Sequence, residues 1–284
     1  MSYKHYIDDH ITFFFLYRRK YRNHIRVIRR VLKKQYPINA VLQNGSTMTF
    51  NHYYEIYHHL MNLNYDIEND IVYVNGLRFY GGRTNGDIVG VFINNEYEYL
   101  PVKDKVVIDI GANIGDSSIY FTLRGAKKVL AVEPNRESYE LAKKNIESNG
   151  FSDKVETIWA GCAAVDRNNP DSNKPPLMTL NSLIDNYNIK PDILKIDCEG
   201  CEYDVILSSQ DYTLRKFSHL QIEYHYGYKN LKEKLGKCGF HLALTEPRYF
   251  RPLDLNAVVV LVSPESIKQD SSNMYVGWLY AERL

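Results

Sequence analysis

The stretch Val106–Phe121, VVIDIGANIGDSSIYF, constrains the fold more than any other part of the chain. Val106, Val107, Ile108 and Ile110 are apolar and β-branched, as a parallel strand buried on both faces requires. Gly111, Asn113 and Gly115 then make a tight turn, because Gly reaches positive φ without strain and Asn tolerates it. Asp116, Ser117 and Ser118 supply N-cap chemistry for a helix that starts with Ile119, Tyr120 and Phe121. A strand, a glycine turn and a helix in this order place a ligand crevice at the carboxyl end of the strand in an open α/β sheet.

Charge selects what that crevice can hold. A dinucleotide fingerprint G-x-G-x-x-G starting at Gly111 needs glycines where Asn113 and Asp116 stand. Asp116 also sets a carboxylate at the helix N-terminus, where a pyrophosphate would bind. A P-loop is excluded because no Gly-Lys-Ser/Thr follows. S-adenosylmethionine carries no phosphate and has a cationic sulfonium and ammonium, so an acidic turn suits it. Glu133 ends the next apolar run, Val129–Val132, about 20 residues on, where an acid binds both ribose hydroxyls.

From Val106 onward the pattern alternates strand and helix, which predicts a parallel doubly wound sheet. Predicted strands are Val155–Trp159, Ile193–Ile196 and Leu220–Tyr224, with helices at 117–124, Arg136–Ser148, Leu180–Tyr187, Glu202–Ser208 and 229–237. A closing pair of strands is expected at Phe240–Thr245 and Ala257–Val262. The 284 residues then divide into an accessory region (1–84), the α/β domain (85–265) and an aromatic C-terminal tail (266–284) that packs on the body or on a second copy of the chain. In the accessory region the spacing predicts a helix over 11–35, a second over 51–63, and a β-hairpin over Asp70–Tyr80 turning at Asn75-Gly76.

The formal net charge of +1 conceals an asymmetry. Arg18–Lys34 holds nine Lys or Arg and no acid, leaving 26 basic against 34 acidic residues elsewhere. Tyr21, Ile25, Ile28 and Leu32 form an apolar stripe through this segment. Such a basic amphipathic helix packs on an acidic body, lies on an anionic membrane, or contacts RNA. His52, His58 and His59 are read as solvated or packing residues, and Cys198-x-x-Cys201 as structural or a bystander, with little for a disulfide framework among the four cysteines. Asp8 and Asp9 argue against a secretory signal, and no run of about 20 apolar residues is present. A cytoplasmic protein is expected, peripheral to the inner membrane face if residues 18–34 bind lipid.

DIGANIG at 109–115, AVEPN at 131–135, KIDCEGCE at 195–202 and IEYH at 222–225 resemble the FkbM family of S-adenosylmethionine-dependent methyltransferases. The resemblance covers roughly residues 85–263. It implies a Rossmann-like class I methyltransferase fold, with a seven-stranded, mostly parallel sheet and helices on both faces. It also implies methyl transfer, usually to oxygen, on sugars, glycans or other small metabolites. Gly161 departs from the family, whose members often carry a polar residue after the third strand. By resemblance and position, Asp109 and the turn of Gly111, Asn113 and Gly115 hold the methionine end and Glu133 the ribose, with Asp116, Pro134, Asn135 and Ala163 as further cofactor-binding residues.

An alcohol acceptor must lose its proton as the C–O bond forms. Lys195 and Asp197 share one strand face, and Glu223 and His225 share another. Asp197 or His225 is the expected base, with Lys195 keeping Asp197 ionised and Glu199 and Glu202 shaping the acceptor site. A divalent metal such as Mg²⁺ on Asp197, Glu199 and Glu223 is a weaker option. Two other functions stay open: an RNA methyltransferase that uses the basic helix, and a non-catalytic protein that keeps the fold as a scaffold.

Overall fold

The computed structural model describes residues 9–82, 87–245, 248–250 and 274–283. The chain divides into two compact units, 1–85 and 86–284.

The second unit is built on a sheet of β1 (Val106–Ile110), β2 (Lys128–Glu133), β3 (Val155–Trp159), β4 (Ile193–Ile196), β5 (His219–Tyr224), β6 (His241–Leu244) and β7 (Met274–Glu282). Their spatial order is β6-β7-β5-β4-β1-β2-β3. The five strands from β5 to β3 pair in parallel, whereas β7 runs antiparallel to both β5 and β6. Arg248–Phe250 adds a short antiparallel strand beside the start of β7. Helices α1 (Asp116–Leu123), α2 (Arg136–Ser148), α3 (Leu180–Asn186), α4 (Cys201–Ser208) and α5 (Lys229–Lys237) provide the crossovers and flanking layers. Ile108, Leu130, Leu194, Leu220 and Leu279 are fully buried and run across the sheet as one core.

The predicted strand Ala257–Val262 lies outside the described residues. The strand between β5 and β6 is Met274–Glu282, which corrects one expectation. Residues 266–284 are therefore not a separate tail, since most of their described part lies inside the sheet. Gly277 shows the fit, because a Cβ there would lie 2.4 Å from the Tyr224 hydroxyl on the neighbouring strand.

In the first unit the predicted long helix is two, Asp9–Lys20 and His24–Leu32. The break falls at Tyr21, which is fully buried and bridges to Leu42. These helices accompany a two-stranded ribbon (Ile38–Val41 with Thr47–Phe50), a helix Tyr53–Leu60, and a three-stranded sheet. That sheet contains the predicted hairpin, Ile71–Val74 with Leu77–Tyr80, joined through Asn75 and Gly76, both at positive φ. His58 and His59 pack, while His52 is exposed: His58 stacks on Tyr65 and bonds the Tyr54 carbonyl, and His59 meets the Tyr21 hydroxyl at 2.8 Å.

Candidate active site

The sheet order reverses between β1 and β4, and the candidate site forms at the carboxyl ends of these strands and their neighbours. Gly111 stands at φ +77°, and a Cβ on it would lie 1.7 Å from the Asp197 carbonyl oxygen. The N–H groups of Gly111 and Ala112 both bond to the Val132 carbonyl, tying the turn to β2. Asn113, at φ +46°, donates its N–H to Glu133 Oε2 at 2.9 Å, and the Asn135 N–H donates to Oε1 at 2.7 Å. Glu133 is 8% exposed, and burial pushes its carboxyl above the usual range against the pull of those two N–H donors.

The helix after the turn starts one residue earlier than expected, with Gly115 at the cap position and buried Asp116 in the first turn. Ser117 and Ser118 do not cap it. Their hydroxyls donate to Asp109 Oδ2, each at 2.6 Å. Parallel register places Lys195 beside Asp109, and the ammonium lies 3.1 Å from Oδ1 and 2.7 Å from the Gly111 carbonyl. Both side chains are sealed from solvent. Asp109 is thus held from inside the protein by the two serines and Lys195. Lys195 is the internal counter-ion of Asp109, and its charge is also felt by Asp197. Burial opposes its charge, but Asp109 and Asp197 outweigh burial and hold it protonated beyond the ordinary lysine range. Replacing Lys195 by Met strands a buried carboxylate and is expected to cost about 3–5 kcal/mol, read as a lower urea midpoint.

A second cluster sits at the ends of β4 and β5. Asp197, Glu223 and His225 place one ligand-type atom each within 4.8 Å of one another. Glu223 is pushed up to about 10 by burial and by the neighbouring Asp197, so near neutral pH it keeps a proton beside that carboxylate. His225 is 3% exposed, and both its backbone N–H and its Nδ1 lie 3.0 Å from Oε1 of the fully buried Glu202. Nδ1 thus serves as donor, and Nε2 faces Glu199 at 3.3 Å and Glu223 at 3.8 Å. Burial lowers the basicity of His225, but Glu202, then Glu199 and Asp197, raise it above the ordinary value. The Glu199 side chain is 80% exposed and lies outside the three-residue group, so the metal set expected from Asp197, Glu199 and Glu223 is not the one that converges.

Cys198 and Cys201 form a disulfide, a structural role for the pair, which corrects the expectation of little disulfide bonding among the cysteines. It closes the turn that carries Glu199 (φ +56°) and Gly200 (φ +119°), and the Gly200 N–H donates to Glu202 Oε2 at 2.9 Å. On the far side of the crevice, Asn135 caps α2 through Ser138, and Trp159 Nε1 donates to the Pro134 carbonyl. Ala163 is tied to the Met178 carbonyl. Gly161 has a packing reason, since a Cβ there would meet Leu177 at 2.8 Å.

Two side chains at the site carry no sequence signal. Tyr97 is buried, donates to Asp197 Oδ2 at 3.5 Å, and has its ring centre 5.6 Å from the Lys195 ammonium. Trp278 stands opposite Glu223 in the β5–β7 register and meets Tyr97 edge-on.

The strand order and the glycine turn are those of the class I, S-adenosylmethionine-dependent methyltransferase fold. Within it, residues 109–242 match the family described as the Methyltransferase FkbM domain. A viral protein, "Uncharacterized protein 158B" of Sulfolobus islandicus rod-shaped virus 1, is 31% identical over 130 residues, covering 45% of this chain and 66% of that protein. Protein arginine N-methyltransferase 1 of Saccharomyces cerevisiae is 43% identical over 53 residues, 19% of this chain and 15% of that enzyme. The chain thus spans less than two thirds of either relative. Among solved structures, the FkbM methyltransferase of Methylobacillus flagellatus aligns over 68% of this chain and 52% of its own, at 15% identity and a TM-score of 0.44. TrmK of M. capricolum with S-adenosylhomocysteine aligns over 68% of each chain, at 17% identity and a TM-score of 0.43.

Proposed function

We propose that this protein transfers the methyl group of S-adenosylmethionine to a hydroxyl of a sugar, glycan or small metabolite, with His225 as general base. The supporting observation is the buried Glu202–His225 pair, which fixes Nδ1 as a donor and turns Nε2 towards the ends of β4 and β5. The acceptor oxygen attacks the methyl carbon in line with sulfur, sulfur leaves as a neutral thioether, and the hydroxyl proton passes to Nε2. Alignment of these atoms provides much of the acceleration. Glu133 receives the ribose hydroxyls, the Gly111–Asp116 turn receives the methionine end, and Pro134, Asn135 and Ala163 border the adenine. Asp109 and Lys195 are positioning residues, and Asp197 with protonated Glu223 orients the acceptor.

Carboxylates at the acceptor side disfavour a phosphate backbone, which weighs against RNA. A divalent cation on Asp197, Glu223 and His225 is the second reading of the same atoms. Chelation separates the two readings, because a reaction carried by His225 alone needs no cation.

The test is incubation of the purified protein with methyl-labelled S-adenosylmethionine and a cell extract, fractionated into glycan, lipid, RNA and small-molecule pools. Binding of S-adenosylhomocysteine is followed by calorimetry alongside. Label in the glycan or small-molecule pools that survives EDTA is expected. Label confined to RNA overturns the acceptor class, loss on chelation with rescue by Mg²⁺ restores the metal, and no binding heat leaves a scaffold.

A further inference from the structure

The two helices at the start of the first unit leave a surface that the methyltransferase chemistry does not use. His24–Leu32 buries Val27 in a core with Tyr21, Ile38, Ala40, Phe50, Ile56 and Leu60. Its opposite side presents Ile25, Arg26, Arg29 and Leu32 to solvent. Ile25 and Leu32 are 61% and 79% exposed, and the spacing 25, 29, 32 stacks them on one face with Arg29 between. Arg22, Asn23, Ile25, Arg26 and Arg29 surround a recess of about 400 Å³. Phe15, on the preceding helix, is 55% exposed.

The cations of this segment are not balanced locally. Among the described residues, the contacts of Arg22 and Arg30 go to backbone carbonyls of Gln43, Gln35 and Pro37, and Lys20 meets the Asn62 side chain. No described Lys or Arg between 18 and 34 pairs with a carboxylate. A solvated basic face needs no aliphatic side chains standing out from it. An RNA ligand accounts for the arginines but offers Ile25 and Leu32 nothing to bury into. A bilayer accounts for both, since the headgroup layer takes the guanidinium groups and the acyl boundary takes the aliphatic tips.

We propose that the exposed face of His24–Leu32, with Arg22 and Lys33 at its ends, docks this protein on an anionic phospholipid surface. Arg22, Arg26 and Arg29 engage lipid phosphates, and Ile25 and Leu32 enter the interface. Docking is independent of the acceptor and does not rest on the methyl-transfer reading.

The experiment is co-sedimentation of the full chain with vesicles of phosphatidylcholine alone or mixed equally with phosphatidylglycerol, at low and high salt. Binding to the mixed vesicles, absent with phosphatidylcholine alone and weakened by salt, is expected. Arg26→Glu with Arg29→Glu should weaken it on the order of a hundredfold or more, at about tenfold or less per unit charge. Ile25→Ser with Leu32→Ser should weaken vesicle binding about tenfold or more. All four positions are exposed, and unchanged thermal unfolding verifies that the variants fold. A single-stranded RNA oligonucleotide forms the parallel arm. RNA binding tighter than vesicle binding, indifference of vesicle binding to the serine pair, or no vesicle binding at all overturns the proposal.

Discussion

Gly111→Ala is expected to abolish binding of S-adenosylhomocysteine and to destabilise the second unit far more than the same change at another left-handed glycine. Two costs combine at this position. Its φ of +77° is strained for any side chain, at roughly 1–2 kcal/mol. The added Cβ also falls 1.7 Å from the Asp197 carbonyl oxygen, which is backbone and cannot swing aside. Relief requires β1 and β4 to part at their carboxyl ends. That would stretch the bond from the Asp197 N–H to the Ile110 carbonyl, now 3.0 Å, and move the Gly111 carbonyl off Lys195. Gly150 supplies the internal control, because it has nearly the same φ, +76°, with nothing within 4 Å of the hypothetical Cβ. Gly150→Ala should therefore lose about 1 kcal/mol, and Gly111→Ala about 4 kcal/mol or more. Urea midpoints compare the two, and calorimetry follows the cofactor product. Equal losses at both sites would mean that the close approach of the β1 turn to β4 does not shape the crevice.

The contrast between those two glycines also shows what is legible in the sequence. A turn glycine can be read locally, as at Gly111 and Gly150, but its neighbour in space cannot. The turn after β1, the span of α2 at Arg136–Ser148 and the acid closing β2 all follow from local periodicity and capping, and the structure has these elements. The strand face shared by Lys195 and Asp197 is legible in the sequence, whereas the inter-strand register that sets the Lys195 ammonium 3.1 Å from Asp109 is not. No spacing rule reaches from residue 97 to residue 197, so Tyr97 had no signal. Local pattern puts the closing strand at Ala257–Val262 and reads residues 266–284 as an aromatic tail. Yet Met274–Glu282 supplies the antiparallel strand, with Gly277 accommodating Tyr224 and Trp278 reaching the site. The break at Tyr21 is likewise tertiary, since an amphipathic pattern continues through a residue that packing removes from the helix.

His225→Asn is expected to lower kcat by about 10²–10⁴ while leaving S-adenosylhomocysteine affinity within about twofold, because an asparagine amide can still donate to Glu202 but has no Nε2. Glu202→Gln separates a base from a merely structural histidine. In the native protein, burial disfavours the imidazolium, and the Glu202 carboxylate outweighs it, lifting His225 above 6.5. A general base works in its neutral form, so kcat/KM should rise with pH through a limb placed above 6.5. Glutamine keeps an acceptor oxygen for the His225 backbone N–H but removes the negative charge that favours the imidazolium. Glu199 and Asp197 then oppose burial without Glu202, His225 loses its proton at lower pH than in the native protein, and the rising limb moves towards acid. The same change makes Nε2 a weaker proton acceptor, so the plateau rate falls as the limb shifts. A variant that is slower at every pH with its limb unmoved would assign His225 to packing and return the base role to Asp197, for which Asp197→Asn, retaining cofactor binding and losing turnover, is the matching measurement.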